Sequence, residues 1–278
     1  MSGSDVVRRS ARLFVAVVSL VATIYAGSVG LLFVFQRDLL FPGNQYRPTP
    51  SELGVPEMQQ VTLRTRDGLD LVGWYAPPRG GRVTVVSFQG NDDFVGANAA
   101  FARQLIDRGI GILLTSYRGY SGNPGSPSED GLYEDGRAAL DFVARSGARV
   151  ILQGFSLGSA IAVQLATERK IVGLILEAPF TSAVDVAAAA YPFVPVRLLM
   201  RDRFDSVAKI GAVAAPVLLT YGTQDEVIPA EQFDRLYAAI RAPKTRIVFG
   251  GATHVDLARH GSGGVALQFI ESVELASR

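Results

Sequence analysis

The sequence of 278 residues contains no cysteine. That excludes disulfides, thiol catalysis and cysteine-type zinc sites, and it leaves the redox compartment undetermined. Histidine is almost missing too. His254 and His260 are the only two, too few for a histidine-rich metal centre. Lysine occurs only at Lys170, Lys209 and Lys244, so most of the positive charge is arginine. The net charge of +1 gives no basic footprint for nucleic acid. Internal repeats are absent, and low complexity is limited to the short alanine stretch 187–190. Apolar residues, at 48%, are plentiful enough for a substantial core, and the length suits one large domain with an appendage.

The appendage comes first. Residues 1–12 are short and polar, with Arg8, Arg9 and Arg12. The run that begins at Leu13 and ends at Phe35 carries no charged residue. At 1.5 Å per residue it spans about 30 Å or slightly more, enough to cross a hydrocarbon core. The length and uniform apolarity argue against a buried core helix. A cleaved signal peptide, with a cut near Ala26 and a secreted product, is the rival reading. The apolar run, however, continues through Leu31-Leu-Phe-Val-Phe35 without a small-residue cleavage signal, which favours a single-pass, uncleaved anchor. Arginines precede the span, whereas Arg37 and Asp38 cancel after it. The positive-inside rule then leaves residues 1–12 in the cytoplasm and the rest outside it, in the periplasm of a bacterium.

Residues 36–57 contain Pro42, Pro48, Pro50 and Pro56 and read as an irregular surface linker. The domain proper is expected over residues 58–278. It opens with two alternating runs around Arg66-Asp-Gly68, an antiparallel hairpin. Beyond it, continuous apolar runs alternate with helical segments. Strands are predicted over residues 83–88, 110–115, 150–152, 171–176, 216–221 and 246–249. Strands of that kind imply a parallel sheet with helices on both faces. Ser126-Pro-Ser-Glu129 reads as a structural capping box with Ser126 as the cap. Residues 181–210 break the strand-helix rhythm and are expected to form a short helical cap over the site.

The chemistry centres on Gly154-Phe-Ser-Leu-Gly158, set between an apolar strand and a small-residue helix. This is a G-x-S-x-G elbow in its required strand-turn-helix setting. A serine on so tight a turn crowds its neighbours two residues away on each side, and Gly154 and Gly158 remove the offending side chains. Ser156 is then presented at a helix N-terminus, which favours developing negative charge. A serine hydroxyl needs a base, and the base needs an orienting acid. In such sites the chain order is serine, acid, histidine. His254 follows the last strand on a loop and is the expected base. His260 lies farther on, before a glycine-rich stretch, as a surface or helix-start residue. Asp225, on the loop after the preceding strand, is the expected acid, with Glu226 as the neighbouring alternative. Asp202, Asp205 and Asp256 read as solvated or helix-terminal charges. The backbone amides of Leu157 and Asn91 are expected to stabilise an oxyanion, Gly90 letting the Asn91 loop approach closely.

Taken with Gln36-Arg-Asp-Leu-Leu-Phe-Pro42, Tyr117-Arg-Gly-Tyr120, Pro127-Ser-Glu-Asp-Gly-Leu-Tyr133, Glu177-Ala-Pro-Phe-Thr-Ser182 and Gly222-Thr-Gln-Asp225, these motifs resemble the α/β-hydrolase superfamily. They look closest to the membrane-anchored ABHD-type branch that includes depalmitoylases and related bacterial hydrolases. The resemblance covers residues 36–278. It implies Ser156 as nucleophile, Asp225 as acid, His254 as base and Asn91 with Leu157 as oxyanion donors, with no metal and no cofactor. Two positions depart from the pattern. Gln89 stands where the family usually has histidine before Gly-Asn, and Tyr221 stands where it usually has histidine before glycine. The expected fold is a mostly parallel α/β sheet with an N-terminal antiparallel hairpin, a short cap and one preceding transmembrane helix. The expected activity is hydrolysis of a small-molecule or lipid ester or thioester near a bilayer. The alternatives are an amide or peptide hydrolase of the same fold and a catalytically silent, membrane-tethered binding module.

Overall fold

The computed structural model describes residues 3–277. Met1 and Ser2 of the expected N-terminal tail and Arg278 at the end of the expected domain lie outside the described residues. The first element, α1 (Gly3–Leu40), is a single 38-residue helix. The segment expected to be irregular from Gln36 is therefore helical for its first five residues. Its stop is chemical: Phe41 precedes Pro42, and a residue before proline is pushed out of the helical region. The irregular segment begins at Phe41 and is held to the domain. Phe41, Val55 and Met58 are buried, and Ser121 N–H donates to the Asn44 carbonyl at 2.7 Å.

Eight strands follow: β1 (Gln59–Arg64), β2 (Asp70–Ala76), β3 (Thr84–Phe88), β4 (Gly111–Leu114), β5 (Val150–Phe155), β6 (Gly173–Glu177), β7 (Val217–Gly222) and β8 (Lys244–Phe249). They form one sheet in the order β1-β2-β4-β3-β5-β6-β7-β8. The β1–β2 hairpin and its join to β4 are antiparallel, and the remaining pairs are parallel. All six expected parallel strands are present, with ends shifted by up to three residues.

The inner strands bury both faces. Val86, Leu113, Leu152 and Leu174 face α3 (Glu129–Ala144) and α4 (Leu157–Glu168). Their neighbours Val85, Ile112, Ile151 and Ile175 face α2 (Ala99–Asp107) and α9 (Ser262–Ala276). This alternation within a continuously apolar run is what burial on two sides requires. The small residues of α4, Ser159, Ala160 and Ala162 among them, are buried and let that helix lie close to the sheet.

The segment expected as a cap contains three short helices, α5 (Ala183–Ala190), α6 (Val196–Leu199) and α7 (Ser206–Lys209). Ser182 caps α5, its hydroxyl accepting the Asp185 amide at 3.0 Å. Helix α8 (Ala230–Ala239) completes the layer.

Two local expectations are corrected. The cap of α3 is Ser128, whose Oγ accepts the Gly131 amide at 3.1 Å, and not Ser126. The carboxylate of Asp202 accepts the Glu129 amide at 2.8 Å, so the start of α3 is set by a tertiary partner. Glu129 consequently turns away from a capping role, accepting from Tyr133 Oη at 2.8 Å and from the Arg203 amide at 2.6 Å. Asp202 itself is buried and paired with Arg37 of α1 at 2.7 Å, so of the two expected settings it has the helix-terminal one and not the solvated one. Asp205, as expected, caps a helix: it accepts the Ala208 amide at the start of α7.

Candidate active site

Strand β5 delivers Ser156 at its C-terminal end and α4 begins at the next residue. The backbone of Ser156 has φ 49° and ψ −115°, a conformation that costs a non-glycine residue about 1–3 kcal/mol. Its surroundings leave no slack. A side chain at Gly154 would run into the Gly158 carbonyl, and one at Gly158 would run into the carbonyls of Phe88 and Gln89. The two glycines thus let the turn close on itself and on the loop after β3. The Ser156 amide donates to the Glu177 carbonyl at 2.9 Å, which anchors the turn to β6.

Strands β7 and β8 are paired up to Gly222 and Phe249. Their following loops are then held together, with the Gln224 amide donating to the Ala252 carbonyl at 2.9 Å. A side chain at Gly222 would strike the Ala252 backbone. That close approach brings Asp225 to His254. His254 Nδ1 lies 2.8 Å from Asp225 Oδ2, and His254 Nε2 lies 2.9 Å from Ser156 Oγ. The other carboxylate oxygen of Asp225 accepts the Val227 and Ile228 amides at 2.9 and 2.8 Å. The Asp225 carboxylate is almost fully enclosed, whereas Glu226 is exposed and takes no part. A carboxylate only accepts, so the proton of the neutral imidazole sits on Nδ1 and leaves Nε2 to accept from the serine hydroxyl. The arrangement is a hydroxyl, a base within reach and an acid that fixes the base's tautomer. His260 stands apart, 3.9 Å from Asp256.

The loop after β3 carries Asn91 onto the wall of the same cavity, beside Leu157. The Leu157 amide opens α4 and has no intrahelical acceptor. Asp93 ties the loop down by accepting the Gly90 amide at 2.8 Å, and burial pushes its carboxyl above the usual carboxylate range. Tyr117 Oη donates to the Gln89 carbonyl at 2.7 Å, and Tyr120 Oη donates to Asn91 Oδ1 at 3.2 Å. The two tyrosines of the Tyr117-Arg-Gly-Tyr120 motif thus brace this loop. Gln89 is buried; its Nε2 donates to the Asp93 carbonyl at 3.1 Å and its Oε1 has no partner. Tyr221 is stacked on Phe233, with ring centroids 3.9 Å apart.

The cavity has a volume of about 450 Å³, within the roughly 300–1,000 Å³ of small-molecule sites. Its walls are Phe180 and α5, the segment from Tyr191 to Met200 and, unforeseen from the sequence, the C-terminal part of α1. Val29, Leu32, Phe33, Gln36 and Leu40 share one face of that helix and line the cavity. No periodicity marks this face up to Phe35, because residues on every side of α1 are apolar there. Among the described residues no group of three or more acidic and histidine side chains gathers as a metal site.

Residues 80–205 match the family model described as serine aminopeptidase, S33. An uncharacterized protein of Mycobacterium tuberculosis is 39% identical over 247 residues, covering 86% of this chain and 88% of its own length. The alpha/beta hydrolase domain-containing protein WAV2 of Arabidopsis thaliana is 30% identical and covers 84% of this chain and 85% of its own. Among solved structures, an esterase of Pyrococcus furiosus superposes with a TM-score of 0.69 at 17% identity. It covers 84% of this chain and 97% of its own.

Proposed function

This chain belongs to the α/β-hydrolase superfamily, in its ABHD-like branch, and from that membership we propose that it is a serine hydrolase of lipophilic esters or thioesters. One observation carries the reading: the continuous line from Ser156 Oγ through His254 to the enclosed Asp225 carboxylate, at 2.9 and 2.8 Å. Ser156 Oγ attacks the acyl carbonyl carbon as its proton passes to His254 Nε2. Asp225 stabilises the imidazolium without taking its proton. The Asn91 and Leu157 amides and the N-terminus of α4 face the oxyanion. His254 then protonates the leaving group, leaving an acyl-Ser156. A water molecule, deprotonated by His254, releases the acid and restores the serine.

The lipophilic preference is supported by the apolar cavity wall and by α1, which is long and apolar enough to cross a membrane. In this reading α1 anchors the enzyme, residues 181–210 form its cap, and the catalytic domain is extracytoplasmic. The family description favours an amide as the second substrate class. Asp92, exposed and among the residues lining the cavity, offers an α-ammonium a partner.

The test is labelling of the full chain with a fluorophosphonate, together with hydrolysis of p-nitrophenyl esters. Wild type should label and turn over. Ser156→Ala should lose labelling and several orders of magnitude of rate. Retention of near wild-type hydrolysis by that variant would sink the mechanism. An unlabelled wild type would favour the silent binding module. A matched panel of ester, thioester and aminoacyl amide then separates the substrate classes.

A further inference from the structure

Helix α1 does not stand clear of the domain. Tyr25 Oη donates to the Phe193 carbonyl at 2.7 Å. Farther along, Arg201 lies over the Phe33 ring at 4.5 Å and its amide donates to Gln36 Oε1 at 2.8 Å. Arg37 pairs with the buried Asp202 at 2.7 Å. From Tyr25 onward, then, one face of α1 is docked on the segment between α5 and α7, and the cavity lies between them.

The docking sets a length problem. Ahead of Tyr25 the uncharged run consists of residues 13–24, about 18 Å of helix. A hydrocarbon core is about 30 Å thick. A bilayer spanned by α1 must therefore extend past Tyr25, to the neighbourhood of Leu32. That places the membrane boundary about 10 Å farther along the helix than the Phe193 contact. Whatever stands beside Tyr25 stands in lipid.

The side chains there fit lipid. Phe193 is 85% exposed and Leu198 is 86% exposed, and Tyr191 is exposed beside them. Among the described residues nothing covers the Phe193 ring or the Leu198 branches. A basic residue lies where the boundary falls: Arg201 is exposed on the same segment, and its guanidinium sits at the level of Phe33, while Arg197 is paired with Asp185 of α5 at 2.8 Å. An apolar group deep and an arginine at the boundary is the distribution of an interfacial element, which inserts about 5–10 Å.

We infer that the tip of the cap, residues 191–195, is sunk in the bilayer alongside α1 with Leu198 at its boundary, and that acyl chains reach the cavity sideways from that leaflet instead of from water. The occupant of the exposed apolar face is lipid. The immersion rests on α1 spanning a membrane, and the acyl substrate rests on the proposed hydrolase reading. The arrangement explains why an anchor helix forms a wall of the site: its docked face lines the cavity, and its free face, with Ile24 and Leu31 exposed, meets lipid.

The absence of cysteine makes the test direct, since each introduced thiol is the only one. Phe193→Cys, Leu198→Cys and, on the exposed surface of α9, Leu275→Cys would be labelled with an environment-sensitive fluorophore. The full-length variants would be reconstituted in phosphatidylcholine–phosphatidylglycerol vesicles carrying an acyl-chain nitroxide. Quenching should be several-fold stronger at position 193 than at 275, with 198 intermediate. Equal quenching at 193 and 275 overturns the immersion.

The substrate route is read with Phe193→Ser combined with Leu198→Ser, neither of which lines the cavity. The pair should raise KM several-fold for a palmitoyl ester presented in vesicles and leave hydrolysis of dissolved p-nitrophenyl acetate unchanged. Equal loss on both substrates, or loss on neither, overturns the lateral route. Quenching needs no turnover. An enzyme that hydrolyses neither ester therefore defeats the hydrolase reading while the immersion is still decided.

Discussion

Gln89 shows how a single side chain is shaped by what the loop around it needs. Its amide nitrogen reaches the Asp93 carbonyl, its carbonyl oxygen is buried without a partner, and its backbone carbonyl is held by Tyr117. A buried acceptor left unmade costs about 1–3 kcal/mol. Histidine in this place can supply a ring N–H to the same carbonyl without that orphaned oxygen. Gln89→His is expected to leave kcat/KM for a p-nitrophenyl ester unchanged or raise it. A large loss in steady-state assays would show that this loop depends on the glutamine. The strain at Ser156 belongs to the same scale. It is held in place by the clash-free approach of Gly154 and Gly158 and by the Glu177 carbonyl.

Between elements, Arg118 is the main electrostatic joint. It donates to Asp135 of α3 from its backbone amide at 2.9 Å and from Nε at 2.8 Å, and its Nη1 reaches Asp67 in the hairpin turn at 2.6 Å. The arginine and Asp135 are buried, while the Asp67 side chain is 46% exposed. Removing the cation strands a buried carboxylate. Arg118→Ala should therefore cost about 3–5 kcal/mol, measured by urea unfolding of the detergent-solubilised chain with Trp74 fluorescence. The Asp67 pair adds a pH dependence. Hydrogen bonds from Arg118 hold its carboxyl down at about 2. The unfolded value is about 3.9. A depressed folded pKa contributes stability that is complete above the unfolded value and lost as pH falls through the folded one. The melting-temperature gap between wild type and Asp67→Asn should hold steady above about pH 5 and close toward pH 2. A gap that widens on acidification would contradict this sign. Solvent around Asp67 keeps the effect modest.

The molecule as a whole joins a two-sided α/β sheet to a helix that leaves it along the mouth of the cavity. Arg8, Arg9 and Arg12 precede the apolar run, and positive charge near a span favours the cytoplasmic side. The proposed orientation has the sheet and Ser156 beyond the membrane. A C-terminal alkaline phosphatase fusion should be active, and a C-terminal green fluorescent protein exported through the general secretory route should be dark. The opposite pair of signals would reverse the topology.

Signals written in consecutive residues were legible without coordinates. The elbow glycines, the Asp-Gly hairpin turn, the doubly apolar strands and the strand-end loops carrying Asp225 and His254 are each dictated by local backbone chemistry or by burial on both faces. Their order along the chain was enough to bring Ser156, Asp225 and His254 to one end of a parallel sheet. Choices made by distant partners were not legible. Asp225 and Glu226 are adjacent carboxylates, and only the approach of the β7 and β8 loops places one inside and the other in solvent. Ser128 displaced Ser126 as the cap because Asp202, far along the chain, reaches the first turn of α3. Val29, Leu32 and Phe33, on the face of α1 that walls the cavity, lie in a run that is apolar all round, so no periodicity could select them. The folded cap selects that face, by presenting the Phe193 carbonyl, the Arg201 side chain and the buried Asp202 to residues 25, 33 and 37.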